Sequence, residues 1–238
     1  GEAKITLLRN LTQKHLVESV DEMCKDLRNS QIFVLPGGFS AGDEPDGSGK
    51  FMAAVLQNPK LMDEIKAFLD RDGLILGVCN GFQALVKSGL LPYGEIGNVH
   101  ENSPTLTFNK IGRHISQIVK TKIVTNNSPW LSSFEVGETF DIPVSHGEGR
   151  FYASDEVIKQ LFENGQIATQ YVNFDLEATN EFRFNPNGSS FAIEGIVSPD
   201  GRIFGKMGHS ERYSRDTFKN IDGNKNQNLI LNGIKYFK

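Results

Sequence analysis

The stretch Leu74-Ile75-Leu76-Gly77-Val78-Cys79-Asn80-Gly81-Phe82-Gln83-Ala84-Leu85-Val86 decides the fold. Its first five residues form an apolar run without alternation, the pattern of a strand buried on both faces in a parallel sheet. Residues 82–86 continue into a helix. Between them, Gly77-Val78-Cys79-Asn80-Gly81 fits Gly-x-nucleophile-x-Gly, the sharp strand-to-helix turn called a nucleophile elbow, with cysteine in place of serine. The nucleophile's backbone is strained in such a turn, and a side chain at either flanking glycine would crowd it. The turn lifts the thiol out of the sheet and sets it at a helix N-terminus, where the dipole favours thiolate. The Asn80 N–H can then donate to an oxyanion.

Outward from this stretch the strand–helix pattern repeats. Residues 5–8 and 32–35 are further apolar runs. Between them Thr12 can cap a helix whose stripe is Leu16, Val20, Met23 and Leu27. Residues 51–56 and 61–69 read as helices, the second with Leu61, Ile65, Phe68 and Leu69 on one face. Three apolar strands with helices between them predict a parallel sheet covered on both sides. The middle differs: residues 105–108, 115–124 and 140–144 alternate between turn residues, which reads as antiparallel. A helix over 155–162, short strands over 167–172, 191–197 and 202–206, and a terminal helix over 228–237 follow. No linker, low-complexity tract or repeat interrupts the chain. The expected class is α/β: a three-layer, mostly parallel open sheet with helices on both faces plus a smaller antiparallel section, in one domain over 1–238.

Composition excludes several functions. The chain has 238 residues, 38% hydrophobic and 23% charged, with a formal net charge of −4. That is a soluble globular composition able to bury roughly 70% of the unfolded chain's surface. The acidic balance is wrong for a duplex nucleic-acid binder or a polybasic membrane surface. No apolar run approaches the length of a membrane-spanning helix, and no signal-peptide pattern is present. Two cysteines without metal-type spacing point to a reducing, cytoplasmic setting. Cys24, on the apolar stripe beside Met23 and Leu27, is expected to be a core residue.

A cysteine nucleophile needs a base and an orienter. Gly208-His209-Ser210-Glu211-Arg212 follows the strand over 202–206, so His209 can present its imidazole to the thiol while Glu211 holds its other nitrogen. His15, on the N-terminal helix, is expected to be solvated, and His100 and His114 sit in polar contexts with no orienting group at short spacing in sequence; all three are set aside. Pro36-Gly37-Gly38-Phe39-Ser40 leaves the C-terminal end of the strand over 32–35, where parallel sheets bind ligands. Adjacent glycines there suit an oxyanion hole. Gly47-Ser48-Gly49-Lys50 lacks the spacing and preceding strand of a phosphate-binding P-loop.

The segments VLPGGFSAGDEPDGSGKF, GVCNGFQALVKSGLLP, SHGEGRF, NPNGS and KMGHSER occur in this order. Together they resemble the glutaminase domain of phosphoribosylformylglycinamidine synthase, a class I glutamine amidotransferase with a Cys-His-Glu triad, over nearly the whole chain. The resemblance implies that Cys79 is the nucleophile, His209 the base and Glu211 the orienting acid. It implies oxyanion donors at the backbone of Gly38 and Asn80, and a glutamine pocket near Gly37, Gln83, His146, Glu148 and Arg150. No metal or organic cofactor is implied for this domain; ATP and Mg²⁺ belong to the synthetase portion, which is the implied partner and receives the ammonia. Nucleic acid and membrane are not implied partners. Two departures stand out. Many relatives have PHPER where this chain has Gly208-His209-Ser210-Glu211-Arg212, and losing both prolines loosens the turn. The family domain also usually opens with a further strand and helix, so the chain is expected to be the C-terminal fragment of a larger synthase. Two other readings stay open on the residues: an independent γ-glutamyl cysteine hydrolase, and a catalytically silent docking domain.

Overall fold

The computed structural model describes residues 1–38 and 49–238. In chain order its elements are α1 (Gln13–Arg28), β1 (Ile32–Leu35), α2 (Lys50–Leu56), α3 (Pro59–Asp70), β2 (Leu74–Val78), α4 (Asn80–Ser88), α5 (Leu90–Tyr93), β3 (Thr105–Thr107), β4 (Ile115–Ile123) and β5 (Thr139–His146). Then come β6 (Arg150–Tyr152), α6 (Asp155–Glu163), β7 (Ile167–Tyr171), β8 (Ile193–Val197), β9 (Ile203–Lys206) and α7 (Leu229–Tyr236). Local chemistry sets the helix starts. The side chains of Thr12, Asn58 and Ser154 accept from backbone N–H groups at the first turns of α1, α3 and α6. Cys24 is buried on the inner face of α1 with Val20 and Leu27, as its stripe predicts.

Seven strands form one sheet in the order β1-β2-β9-β8-β7-β4-β5, and β3 pairs with β6 in a separate two-stranded sheet. The α/β class holds, but the balance within the sheet does not. Parallel pairing is confined to β1-β2 and β2-β9, whereas β9-β8, β8-β7, β7-β4 and β4-β5 are antiparallel. Of the section read as a smaller antiparallel part, β4 and β5 join the main sheet beside β7 and β8, while β3, paired with β6, stays apart as a small antiparallel sheet. Direction of pairing depends on how the connections run, and β8 and β9 are joined by a tight turn that forces them antiparallel.

The apolar run at residues 5–8 forms no strand. Ile5 and Leu7 are exposed, and the segment lies along α1. Asp26 accepts from Lys4 Nζ and from Thr6 Oγ1 at 2.5 Å each, and Ser19 Oγ accepts from the Arg9 N–H at 3.0 Å. Side chains of a helix thus hold this segment where strand pairing was expected.

The core brings α4 against the parallel strands. Phe82 packs so closely on Gly205 of β9 that a methyl group there would overlap its ring. Trp130, wholly buried, donates from Nε1 to the Arg202 carbonyl at 3.0 Å and lies under Gly233 of α7. The antiparallel half curls. β5 is last in the strand order, yet its C-terminal end returns to β9 and β2: the His209 N–H donates to the Pro143 carbonyl at 2.8 Å, and the Cys79 thiol faces the Ser145 carbonyl at 3.6 Å. The C-terminal ends of three parallel strands and the end of β5 therefore meet around one crevice. Among the described residues no helix is long and apolar enough to cross a membrane.

Candidate active site

Cys79 caps α4 with φ 52° and ψ −107°, a backbone state that costs of order 1–3 kcal/mol outside glycine. Both flanking glycines are sterically required. A Cβ on Gly81 would overlap the Leu35 carbonyl, and one on Gly77 would lie 2.5 Å from Leu85 Cδ1 and 2.9 Å from the Gly81 backbone. The elbow read from five residues is thus present in three dimensions.

His209 follows β9 just as Cys79 follows β2, and Gly37 follows β1. A Cβ on Gly37 would stand 2.7 Å from His209 Cε1 and 3.2 Å from Cys79 Cβ, so thiol and imidazole flank the same glycine. His209 Nδ1 lies 2.6 Å from Glu211 Oε1, across a 3-10 turn over Ser210–Arg212. The other ring nitrogen, Nε2, accepts from the Arg212 guanidinium at 3.2 Å. Nδ1 thus faces the carboxylate as a donor, and Nε2 faces the guanidinium as an acceptor. Burial pushes the Glu211 carboxyl up, but the hydrogen bond and charge of His209, its own backbone N–H and the Lys206 ammonium hold it below the ordinary carboxylate value.

The Cys79 thiol departs from expectation. Burial raises it to about 11, and the Asn80 N–H and Arg212 charge, which pull it down, do not offset this. The helix N-terminus therefore does not make a resting thiolate, because Cys79 is buried and its charged form loses more hydration than the amide returns. Asn80 N–H nonetheless points at the sulfur, where an oxyanion donor is needed. Gly38 has φ +139° with open space around it, one residue beyond Gly37. Residues 39–48, which carry the rest of the glycine-loop motif and the rejected P-loop's Gly47 and Ser48, lie outside the described residues.

The remaining pocket residues separate into two groups. Gln83, one turn along α4, donates from Nε2 to the Glu148 carbonyl and is buried, as is Glu148. His146 Nδ1 is 3.2 Å from Asn109 Oδ1, while its Nε2 has no partner among the described residues. Burial, then the charges of His114 and His209, push His146 down to about 3, so it is a neutral ring. These residues stand beside the crevice. Arg150 does not join them: its guanidinium lies 5.6 Å from the Tyr152 ring centre, lining a cavity of about 290 Å³ with Lys110, Asn180 and Phe191.

Several residues that hold the site were not singled out. Asn109 accepts from the Gly149 N–H (3.1 Å) and donates to the His146 and Arg113 carbonyls (2.8 and 3.0 Å). Asn187 donates to the Gly149 carbonyl at 2.7 Å and to Tyr171 Oη at 3.0 Å. The two asparagines brace the 146–150 loop from both sides. The NPNGS segment was the available signal for Asn187; nothing marked Asn109. His114, set aside for want of a partner, lies 3.0 Å from Ser145 Oγ beside the thiol's acceptor. Among the described residues no group of three or more His, Cys, Asp or Glu side chains is placed to hold a metal ion.

Known proteins of one family are similar to this chain. A family model described as a CobB/CobQ-like glutamine amidotransferase domain matches residues 2–238. The phosphoribosylformylglycinamidine synthase subunit PurQ of Treponema denticola is 38% identical over 200 residues, covering 79% of this chain and 73% of that protein. The subunit of the same name from Aquifex aeolicus is 32% identical over 219 residues, 91% of this chain and 87% of that one. In the PurLQS structure from Thermotoga maritima a chain superposes with a TM-score of 0.62 at 29% identity, covering 87% of this chain and 80% of that chain.

Proposed function

This chain belongs to the CobB/CobQ-like glutamine amidotransferase family and is the glutaminase part of a phosphoribosylformylglycinamidine synthase of purine biosynthesis; on that premise we propose how its residues perform the glutamine half-reaction. The observation that carries the assignment of roles is Gly37, flanked by Cys79 and by a His209 already bonded to Glu211.

Glutamine enters with its side-chain amide carbon at Cys79 Sγ. The thiol is protonated at neutral pH, so attack and proton transfer go together: His209 Nε2 gives up the Arg212 donor and takes the thiol proton. Glu211 accepts from Nδ1 throughout and stabilises the imidazolium. The backbone N–H groups of Asn80 and Gly38 receive the oxyanion; losing one such donor costs about 10²–10³ in rate. Collapse breaks the C–N bond, and the imidazolium proton leaves with ammonia. Water, deprotonated by the same imidazole, then cleaves the thioester to free glutamate and restore the thiol. Gln83, His146 and Glu148 shape the pocket beside the thiol.

Ammonia released here would pass to the synthetase portion, to which ATP and Mg²⁺ would belong, for use on formylglycinamide ribonucleotide. The PurQ relatives do not favour an independent γ-glutamyl hydrolase. Cys79→Ser in the assembled enzyme is expected to abolish glutamine-dependent synthesis while ammonia-dependent synthesis continues. Persisting glutamine turnover would refute the nucleophile.

A further inference from the structure

Lys206 ends β9, three residues before His209, and its side chain is 0% exposed. Its Nζ donates to Ser210 Oγ and to Gln227 Oε1, both at 2.8 Å, and lies 3.6 Å from Glu194 Oε1. Glu194, on β8, is equally buried. Its Oε1 accepts from the Gly208 N–H at 2.6 Å and its Oε2 from Thr169 Oγ1 on β7 at 2.5 Å. Ser210 Oγ in turn donates to Gln227 Oε1 at 2.6 Å.

A buried ammonium and carboxylate cost several kcal/mol each in lost hydration, and apolar residues of the same volume often do as well or better for stability. Stability is therefore a weak reason for the pair. What it contacts supplies a stronger one. Glu194 holds the residue before His209, and Lys206 holds the residue after it. The same Lys206 charge lowers the Glu211 carboxyl. Among the described residues, the backbone of His209 is tied outside its own turn at Pro143. Fixing Gly208 and Ser210 fixes the direction in which the imidazole leaves the chain, in a turn with neither residue restrained by a ring.

We propose that the buried Lys206–Glu194 pair, completed by Gln227, is a positioning device for the His209–Glu211 couple, clamping the residues on either side of the base. The proposal rests on the glutaminase reading for its kinetic consequence, though not for its structural one.

The test uses the double variant Lys206→Met/Glu194→Gln, which leaves no unpaired buried charge, and Ser210→Ala, which removes the clamp's last contact and keeps the pair. Each is checked for folding by thermal melting. Glutamine hydrolysis should lose about 10- to 100-fold in kcat in the double variant, with KM within about twofold, as expected when a catalytic group is misaligned by about 1 Å. Ser210→Ala should show the same pattern, smaller. Adding Ser210→Pro to the double variant should restore several-fold in kcat. Proline fits the first position of the 3-10 turn, and the preceding His209, at φ −96° and ψ 74°, lies outside the helical region that proline disfavours.

A second readout needs no turnover. The Nδ1–H tautomer of His209, followed by imidazole nitrogen NMR, should be well populated in the parent and lost or averaged in the double variant. Unchanged kcat and unchanged imidazole signals in folded variants would overturn the proposal, as would a kcat loss that proline does not relieve. If the parent failed to hydrolyse glutamine, the glutaminase reading would fall, and the tautomer result would still decide the clamp. If the double variant did not fold, Ser210→Ala would decide.

Discussion

Cys79 and His209 reach the same crevice by opposite means. The nucleophile is placed by its neighbours in sequence, where Gly77 and Gly81 let the strand turn into α4 and Leu35 sits hard against the turn. The base is placed from far away: Pro143 on β5 holds its N–H, and Glu194, Lys206 and Gln227 hold the residues beside it. One arrangement is steric and local, and the other is polar, buried and distributed over residues 143–227. The first should fail abruptly when one atom is added. The second should fail by degrees as hydrogen bonds are removed.

The largest effect tests the steric side. Gly81→Ala places a methyl group on the backbone carbonyl of Leu35, a buried residue held in register with Gly77 of β2. We expect a loss of about 3 kcal/mol or more, read from the shift in the denaturant midpoint. A loss under about 1 kcal/mol would show the elbow to be slack and the contrast mistaken. On the distributed side, Glu211→Gln keeps an oxygen for Nδ1–H but removes the charge that stabilises the imidazolium. An expected fall of about 10²-fold in kcat equals about 2.7 kcal/mol in the barrier. Since the Glu211 side chain is 48% exposed, melting should move little. Asn109→Ala comes next. It strips support from the 146–150 loop, including the buried Gly149 N–H and His146 carbonyl, and should cost about 2 kcal/mol by the same midpoint measurement.

The same division explains what could be read from the chain alone. The turn at Cys79 and the helices and strands over residues 13–35 and 50–88 follow from runs, periods and glycine spacing, which are properties of adjacent residues. Misreadings arose where partners are distant in sequence. Residues 5–8 have the composition of a strand, but Thr6 and the flanking Lys4 and Arg9 are tied to Asp26 and Ser19. The strands β4 and β5 look the same in sequence whether they form an appendage or extend the main sheet. Lys206 and Glu194 read as ordinary charged residues, and only the fold shows that they face each other with no water contact. Asn109, 40 residues before its partner Gly149, carries no local mark at all.

Per pH unit the thiol gives the smallest effect, and it is the sharpest test of the local side, because two local influences oppose each other there. The α4 N-terminus and Arg212 favour thiolate, while burial favours the thiol and raises it to about 11. An unfolded cysteine ionises near 8.5. Between those values the unfolded chain binds fewer protons than the folded one, so unfolding free energy must fall as pH rises. The contribution of the neutral thiol is complete below about 8.5 and is lost through about 11, with a slope of at most about 1.4 kcal/mol per pH unit. Comparing the chain with Cys79→Ser across pH 8–11 isolates this slope, since Cys24 is common to both. Alkylation of Cys79 by iodoacetamide should likewise keep accelerating above pH 9. A glutamine-like electrophile that engages His209 should react already near neutrality, because the imidazole removes the proton as the bond forms. If the simple alkylation levelled off near pH 8, the helix N-terminus would outweigh burial, and the elbow would deliver a resting thiolate after all.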